Sequence, residues 1–222
     1  MAPRITRIEP QKRRKGRFSV FVDEEYAFSV DAELLALSSL AEGQEIDEAR
    51  VEELRHESEL RYAKERAYRL LAVRDRSEAE MRQRLARIGF GSATVEEVIR
   101  ILKQQRYLDD RCFALRYSQG LLSTHPVGRV ELEKQLRQKG VEEAIVDEVV
   151  EDVLPPETEA ELARREAIRR VCRYRAEQDR GKVKARVVAY LARRGFTWGV
   201  VQDLIEHWQE IEEQARDGKV EE

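Results

Sequence analysis

The first 30 residues alternate apolar and polar side chains, and everything beyond them repeats at helical intervals. Ile5, Arg7 and Glu9 oppose Thr6 and Ile8. Phe18, Val20 and Val22 then alternate with Ser19 and Phe21, and Tyr26, Ala27, Phe28, Ser29 and Val30 form a third run. A period of two is the strand pattern. The string Lys12, Arg13, Arg14, Lys15, Gly16 separates the first two runs and Asp23, Glu24, Glu25 the next, which predicts a small antiparallel β meander with a basic tip. The meander should end near Asp31, a candidate helix cap. A short apolar helix over residues 34–40 and an acidic helix from Asp47 then lead into a helical remainder.

That remainder contains an internal repeat. MRQRLARIGF at 81–90, LEKQLRQKGV at 132–141 and VVAYLARRGF at 187–196 align without gaps, at spacings of 51 and then 55 residues. Apolar positions also match downstream: Val95, Val146 and Val201; Val98, Val149 and Leu204; Ile99, Val150 and Ile205; Leu102, Val153 and Trp208. Met81 and Leu85, four apart, set one stripe on a first helix. Gly89 and its counterparts Gly140 and Gly195 sit where a left-handed residue ends a helix, and the i, i+3, i+4, i+7 spacing from Val95 makes a second stripe facing the first. Capping boxes are expected at Ser77 with Glu80, Thr94 with Glu97, and Thr158 with Glu161. A further helical stretch precedes each pair, at about 60–74, 111–123 and 158–176, so each unit holds three helices. Leu154, Pro155 and Pro156 mark a boundary, because proline cannot continue a helix. The expected architecture is therefore mainly α: three tandem three-helix repeats in an elongated, curved array behind a β meander. The boundaries drawn are 1–58, 59–108, 109–156, and 157–222 with an acidic tail.

Composition agrees with many helices and little thick core: 38% of residues are charged, 41% apolar, with 11 Gly and 5 Pro. Net charge is only −3, but the charges come in blocks. Residues 1–17 hold seven bases against Glu9, 141–161 hold nine acids and no base, and 163–198 hold twelve bases against Glu166, Glu177 and Asp179. Such blocks suit a macromolecular partner. Cys112 and Cys172 lack metal-ligand spacing and are read as packing residues of a reducing cytosol. No apolar run approaches the roughly 18 residues of a membrane span, and no signal peptide is evident. A cytoplasmic monomer without membrane contact is expected.

Catalytic chemistry finds little support. Gly181 and Lys182 lack the spacing of a nucleoside-triphosphate loop, and His56, His125 and His207 stand apart from paired ligands, so no catalytic residue, metal or cofactor is assigned. Asp109 and Asp110, in YLDDRCFA at 107–114, could form a carboxylate dyad. Helix capping is the favoured reading, with Tyr107, Leu108 and Phe113 packing across the corner. Basic side chains on the middle helix of each unit are the candidate contacts: Arg82, Arg84 and Arg87; Lys134, Arg137 and Lys139; Lys184, Arg186, Arg193 and Arg194. To these the tip adds Lys12, Arg13, Arg14, Lys15 and Arg17, as a solvated turn or a finger touching nucleic acid. Leu85, Phe90, Leu136, Leu191 and Phe196 are read with the three glycines as structural. Among the aromatics weighed as base-stacking platforms, Trp208 falls on a core position, while Tyr174, Tyr190 and Trp198 stay open.

SEAEMRQRLARIGF at 77–90, YLDDRCFA at 107–114, the Leu136, Lys139, Gly140 pattern and YLARRGF at 190–196 occur in an order that resembles the RecX family. The likeness spans about residues 60–210, and ITRIEPQKRR at 5–14 looks like the amino-terminal part of longer members. Unit two departs, with Val141 where the others have phenylalanine. The resemblance implies a regulator, usually negative, that lodges in the groove of the RecA filament on single-stranded DNA, restraining ATP hydrolysis, strand exchange and co-protease activity. It would place the chain in DNA repair, recombination and the SOS response. Two other readings are a helix-turn-helix protein binding DNA directly and a helical-repeat scaffold.

Overall fold

The computed structural model of the chain describes residues 3–12 and 14–217. Three strands and eleven helices follow one another among them. Strands β1 (Ile5–Pro10), β2 (Arg17–Val22) and β3 (Glu25–Asp31) form an antiparallel sheet in that order. Asp23 and Glu24 both take positive φ, 48° and 68°, which gives a two-residue hairpin loop the twist of its flanking strands. Irregularities after Ile5 and Val20 break strict alternation. The sheet buries Ile5, Val20, Phe28 and Val30 against Leu34, Ile46 and Leu54.

Asp31 caps α1 (Ala32–Leu37) through the Leu34 amide at 2.7 Å, and Asp47 caps α2 (Glu48–Leu71) through that of Arg50 at 2.7 Å. The acidic helix and the helical stretch after it, read separately in the sequence, are one 24-residue element, because no glycine or proline interrupts them. Three helix pairs follow: α3 (Glu78–Ile88) with α4 (Ser92–Gln104), α6 (Arg129–Gln138) with α7 (Glu143–Val153), and α9 (Arg180–Arg193) with α10 (Trp198–Glu206). Helices α5 (Asp110–Thr124) and α8 (Pro156–Arg173) precede the second and third pairs, and α11 (Trp208–Arg216) closes the described chain. No helix among the described residues is long and apolar enough to cross a membrane.

By contact the chain divides into two compact units, residues 1–75 with 81–107 and residues 76–80 with 108–222. In the first, α4 turns Val95, Val98, Ile99 and Leu102 inward toward α2. The second has a continuous apolar core drawn from α5 through α11, including Leu132, Leu136, Val149, Val187, Leu191, Val201 and Ile211. Trp208 is 9% exposed in that core, but it opens α11 instead of ending the helix before it.

Two expected capping boxes do not form. The N-cap of α4 is Gly91, leaving Thr94 buried on the apolar stripe, and that of α8 is Pro155, because Pro156 already has the φ of a first helical residue. The Ser77 hydroxyl does accept the Glu80 amide at 3.1 Å. Cys112 is exposed, three positions past the cap of α5, so it is not a packing residue; Cys172 is half-buried, with its thiol toward the Ala215 carbonyl at 3.4 Å.

Asp109 caps α5, accepting the Cys112 amide at 2.9 Å, and that bond above all holds its carboxyl below the ordinary carboxylate range. A depressed folded-state value means stability that is present above the ordinary range and lost as the pH falls through the folded value. An asparagine side chain at this position would still cap but would not titrate. Asp109→Asn should therefore leave urea stability near pH 7 within about 0.5 kcal/mol and flatten its fall in acid. An unchanged acid slope would show that the cap does not titrate with folding.

Candidate functional site

The basic side chains of the three middle helices have different surroundings. On α3, Arg82 pairs with Glu96 at 2.9 Å, whereas Arg84 and Arg87 are exposed with no ion pair among the described residues. On α6 every candidate cation is neutralised. Lys134 reaches Glu131 at 3.3 Å, Arg137 grips Glu143 through two nitrogens and Glu133 at 3.3 Å, and Lys139 meets Glu80 at 3.1 Å beside the Tyr117 ring. The hydrogen bonds to Glu143 push the Arg137 guanidinium still further toward its charged form and lower the Glu143 carboxyl in turn.

On α9 the Lys184 ammonium donates to the Ile205 carbonyl at 2.9 Å beneath Trp208, and Arg186 lies over Tyr174 with Glu177 at 3.3 Å. Arg194 donates to the Tyr190 hydroxyl at 3.3 Å. Arg193 is exposed and unpaired among the described residues. Tyr190 is no open stacking platform: Arg170 covers its ring at 3.7 Å, and its hydroxyl donates to buried Glu166 at 2.8 Å. Trp198 is 65% exposed.

At the meander tip Lys12 and Lys15 are exposed, and Arg13 lies outside the described residues. Arg14 and Arg17 fold back over the Tyr62 ring, at 5.0 and 4.6 Å, and Arg17 bonds the Ser29 carbonyl and the Ser58 hydroxyl. Tyr62 and Ser58 were not singled out by the sequence, since nothing in a helical period marks which half-polar residue will face a strand residue 41 positions earlier.

The residues read as structural sit at the repeat corners. Leu85, Leu136 and Leu191 are buried; Gly89, Gly140 and Gly195 have φ of 106°, 75° and 78°. Phe196 is buried, Phe90 meets Tyr62 edge-on, Phe113 stacks on Tyr117, and exposed Tyr107 lies edge-on to Tyr68. Asp110 does not join Asp109: it reaches back to accept the amide of Glu78, the first residue of α3, at 2.8 Å. Buried Glu159 does the same for Arg129, the first residue of α6, at 2.9 Å. The sequence did carry a signal for this residue. Glu159 and Glu166 occupy the same helical stripe as Leu162, Ala163 and Ala167, and an acid on a buried stripe needs donors.

Two further close approaches repeat. The Ser77 hydroxyl donates to the Lys139 carbonyl, with Ala79 against Gly140; the Gly128 amide donates to the Arg194 carbonyl at 2.9 Å, with Glu131 against Gly195. The starts of α3 and α6 thus dock on the glycine corner of the next repeat. Among the described residues no group of three His, Cys, Asp or Glu side chains could hold a metal ion.

A β meander followed by helical repeats, with its free charges on the repeated helices, defines a tandem-repeat protein that presents cations on a helical frame. Three family profiles match it: "Regulatory protein RecX N-terminal domain" over residues 3–47, "RecX, first three-helix domain" over 63–100, and "RecX, third three-helix domain" over 157–205. The regulatory protein RecX of Bacillus velezensis is 31% identical over 204 residues, covering 92% of this chain and 77% of that protein. That of Clostridium acetobutylicum is 29% identical, covering 90% and 94%. A crystal structure of regulatory protein RecX superposes with a TM-score of 0.68 at 29% identity, over 92% of this chain and 99% of that one. The Lactobacillus salivarius RecX structure, 17% identical with a TM-score of 0.61, shares the fold. The chain belongs to the RecX family of regulatory proteins.

Proposed function

We propose that this chain restrains a RecA-type recombinase by seating its repeats in the groove of the RecA filament on single-stranded DNA. ATP hydrolysis, strand exchange and co-protease activity would all be limited by that occupancy. The observation that carries the reading is the uneven neutralisation of the repeats: Arg84 and Arg87 on α3 and Arg193 on α9 stay exposed and unpaired among the described residues, while the cations of α6 are spent on Glu131, Glu133, Glu143 and Glu80. The three-helix repeats divided at about residues 108 and 156 would then contribute unequally, the first and third making the charged contacts. Several weak contacts to successive filament subunits add up, because each engagement makes the next intramolecular. Charge complementarity would speed encounter and make inhibition weaken with salt.

The full chain should inhibit single-stranded-DNA-dependent ATP hydrolysis by RecA at well below one copy per recombinase. Reversing Arg84, Arg87 and Arg193 to Glu should raise the half-inhibitory concentration by about tenfold or more, and reversing Lys134 and Arg137 should cost much less. No inhibition at an equimolar ratio sinks the reading. Sequence-selective duplex binding without recombinase would favour a direct helix-turn-helix role, and failure to co-migrate with filaments would leave a scaffold.

A further inference from the structure

A cavity of about 460 Å³ opens between the sheet and α2, lined by Arg14, Arg17, Arg55, Ser58, Glu59 and Tyr62 among others. Its charge is lopsided, three guanidiniums against one carboxylate. Arg55 is partly engaged, with Glu52 and the Ala27 carbonyl each at 3.0 Å. Neither Arg14 nor Arg17 has an ion pair among the described residues, and both are gathered over one ring, that of Tyr62. The Arg17 Nε is sequestered from solvent with no hydrogen-bond partner among the described residues. Burial, and then the charge of Arg14, hold the Arg17 pKa below its ordinary value. Two like charges kept together with a buried donor unmatched are a costly arrangement for the empty cavity, and one that a bound anion relieves.

The neighbouring cavity, about 620 Å³, makes a built-in comparison. Arg17 lines it too, but there Lys15, Arg61 and Lys64 face Asp31, Glu33 and Glu65, and Arg61 is committed to Asp31 at 3.0 Å and Glu33 at 2.6 Å. With Arg17 counted, four cations there meet three carboxylates, so the excess is one positive charge against two in the first cavity.

We propose that the cavity between Arg14, Arg17 and Arg55 is a phosphate-binding site, taking a phosphate ester or diphosphate group. Guanidinium forks match the oxygens of phosphate, and the Arg17 Nε–H supplies a donor already held in place. Tyr26 at the rim is 58% exposed, so a base attached to the phosphate has a ring face within the same site. The phosphate can come from a single-stranded nucleic acid or from a small phosphate compound. The site does not depend on the recombinase reading, since its test contains no recombinase.

The test uses the full chain, with inorganic pyrophosphate and a fluorescent oligothymidylate as probes. Pyrophosphate should shift the arginine Nε–H resonance of Arg17 saturably in ¹H–¹⁵N spectra. Arg14→Glu, a change at an exposed residue whose thermal unfolding should match the parent, should weaken pyrophosphate binding by about tenfold or more, while Lys64→Ala in the neighbouring cavity stays within about twofold. If oligothymidylate anisotropy falls with Arg14→Glu and with added pyrophosphate, the phosphate is that of a strand. If only pyrophosphate binding depends on Arg14, it is that of a small compound. No saturable response to either probe, or an equal loss from Lys64→Ala, overturns the proposal.

Discussion

Gly128→Ala should lower the thermal midpoint by about 8 °C, corresponding to about 3 kcal/mol, although it adds one methyl group. Backbone strain is not the reason: Gly128 has φ −82° and ψ 174°, which any residue adopts. The obstacle is the chain that lies against it. A Cβ at position 128 would stand 2.2 Å from the Phe196 Cα, 2.3 Å from the Phe196 nitrogen and 2.4 Å from the Gly195 carbonyl oxygen. All three are backbone atoms that no rotamer change can move. Relief requires the start of α6 to withdraw from the corner between α9 and α10, which also breaks the bonds from the Gly128 amide to the Arg194 carbonyl, 2.9 Å, and from Val130 to Gly195, 3.0 Å. Gly120→Ala is the control. It lies inside α5 with nothing within 4 Å of the added carbon, and should stabilise by about 0.5–1 kcal/mol through the unfolded chain. Circular dichroism melts of the two variants decide the matter: if Gly128→Ala melts within a degree or so of the parent, the close docking is wrong.

Glu159→Ala should cost about 3–5 kcal/mol in urea unfolding, far more than the same change at exposed Glu161. The Glu159 side chain, 2% exposed, accepts from the Arg129 amide at 2.9 Å, the Thr197 amide at 2.9 Å and the Thr197 hydroxyl at 2.9 Å. One carboxylate thereby serves the first turns of α6 and α10, where unsatisfied amides and the helix dipoles both favour negative charge. Alanine strands three donors in a place water does not reach. Glu159→Gln keeps the shape but turns an NH₂ group toward one set of donors, so its loss should fall between the two. Amide exchange at Arg129 and Thr197 should accelerate in both variants. Equal stability of the Glu159→Ala and Glu161→Ala proteins would remove Glu159 from this role.

Both residues lie where one repeat meets the next, and there the sequence was only half legible. The period-two runs to Val30 were enough for the meander, since alternation is a local property. Glycine corners at 89, 140 and 195 could be read because a left-handed cap depends on only a few neighbouring residues. That Gly140 and Gly195 also admit Ala79 and Glu131 of the preceding repeat could not. Thr94 and Thr158 fit a capping motif yet sit inside helices, since apolar packing and Pro156 moved the helix starts. The basic residues gave a similar result. Their repetition was visible in the chain, but whether Arg137 is spent on Glu143 or Arg193 is left exposed depends on how neighbouring helices pack.

By itself, then, the sequence determined the class of each element, the triple repeat, the leucine and glycine frame and the family likeness, all consequences of period, cap and local order. Tertiary structure alone decided which cations stay free, that Glu159 joins two helix starts, that Gly128 must lack a side chain, and that Arg14 and Arg17 share the ring of Tyr62. The reason is range: hydrophobic period acts over a few residues, whereas a buried cap or a steric limit depends on atoms brought together from 30 to 70 positions apart.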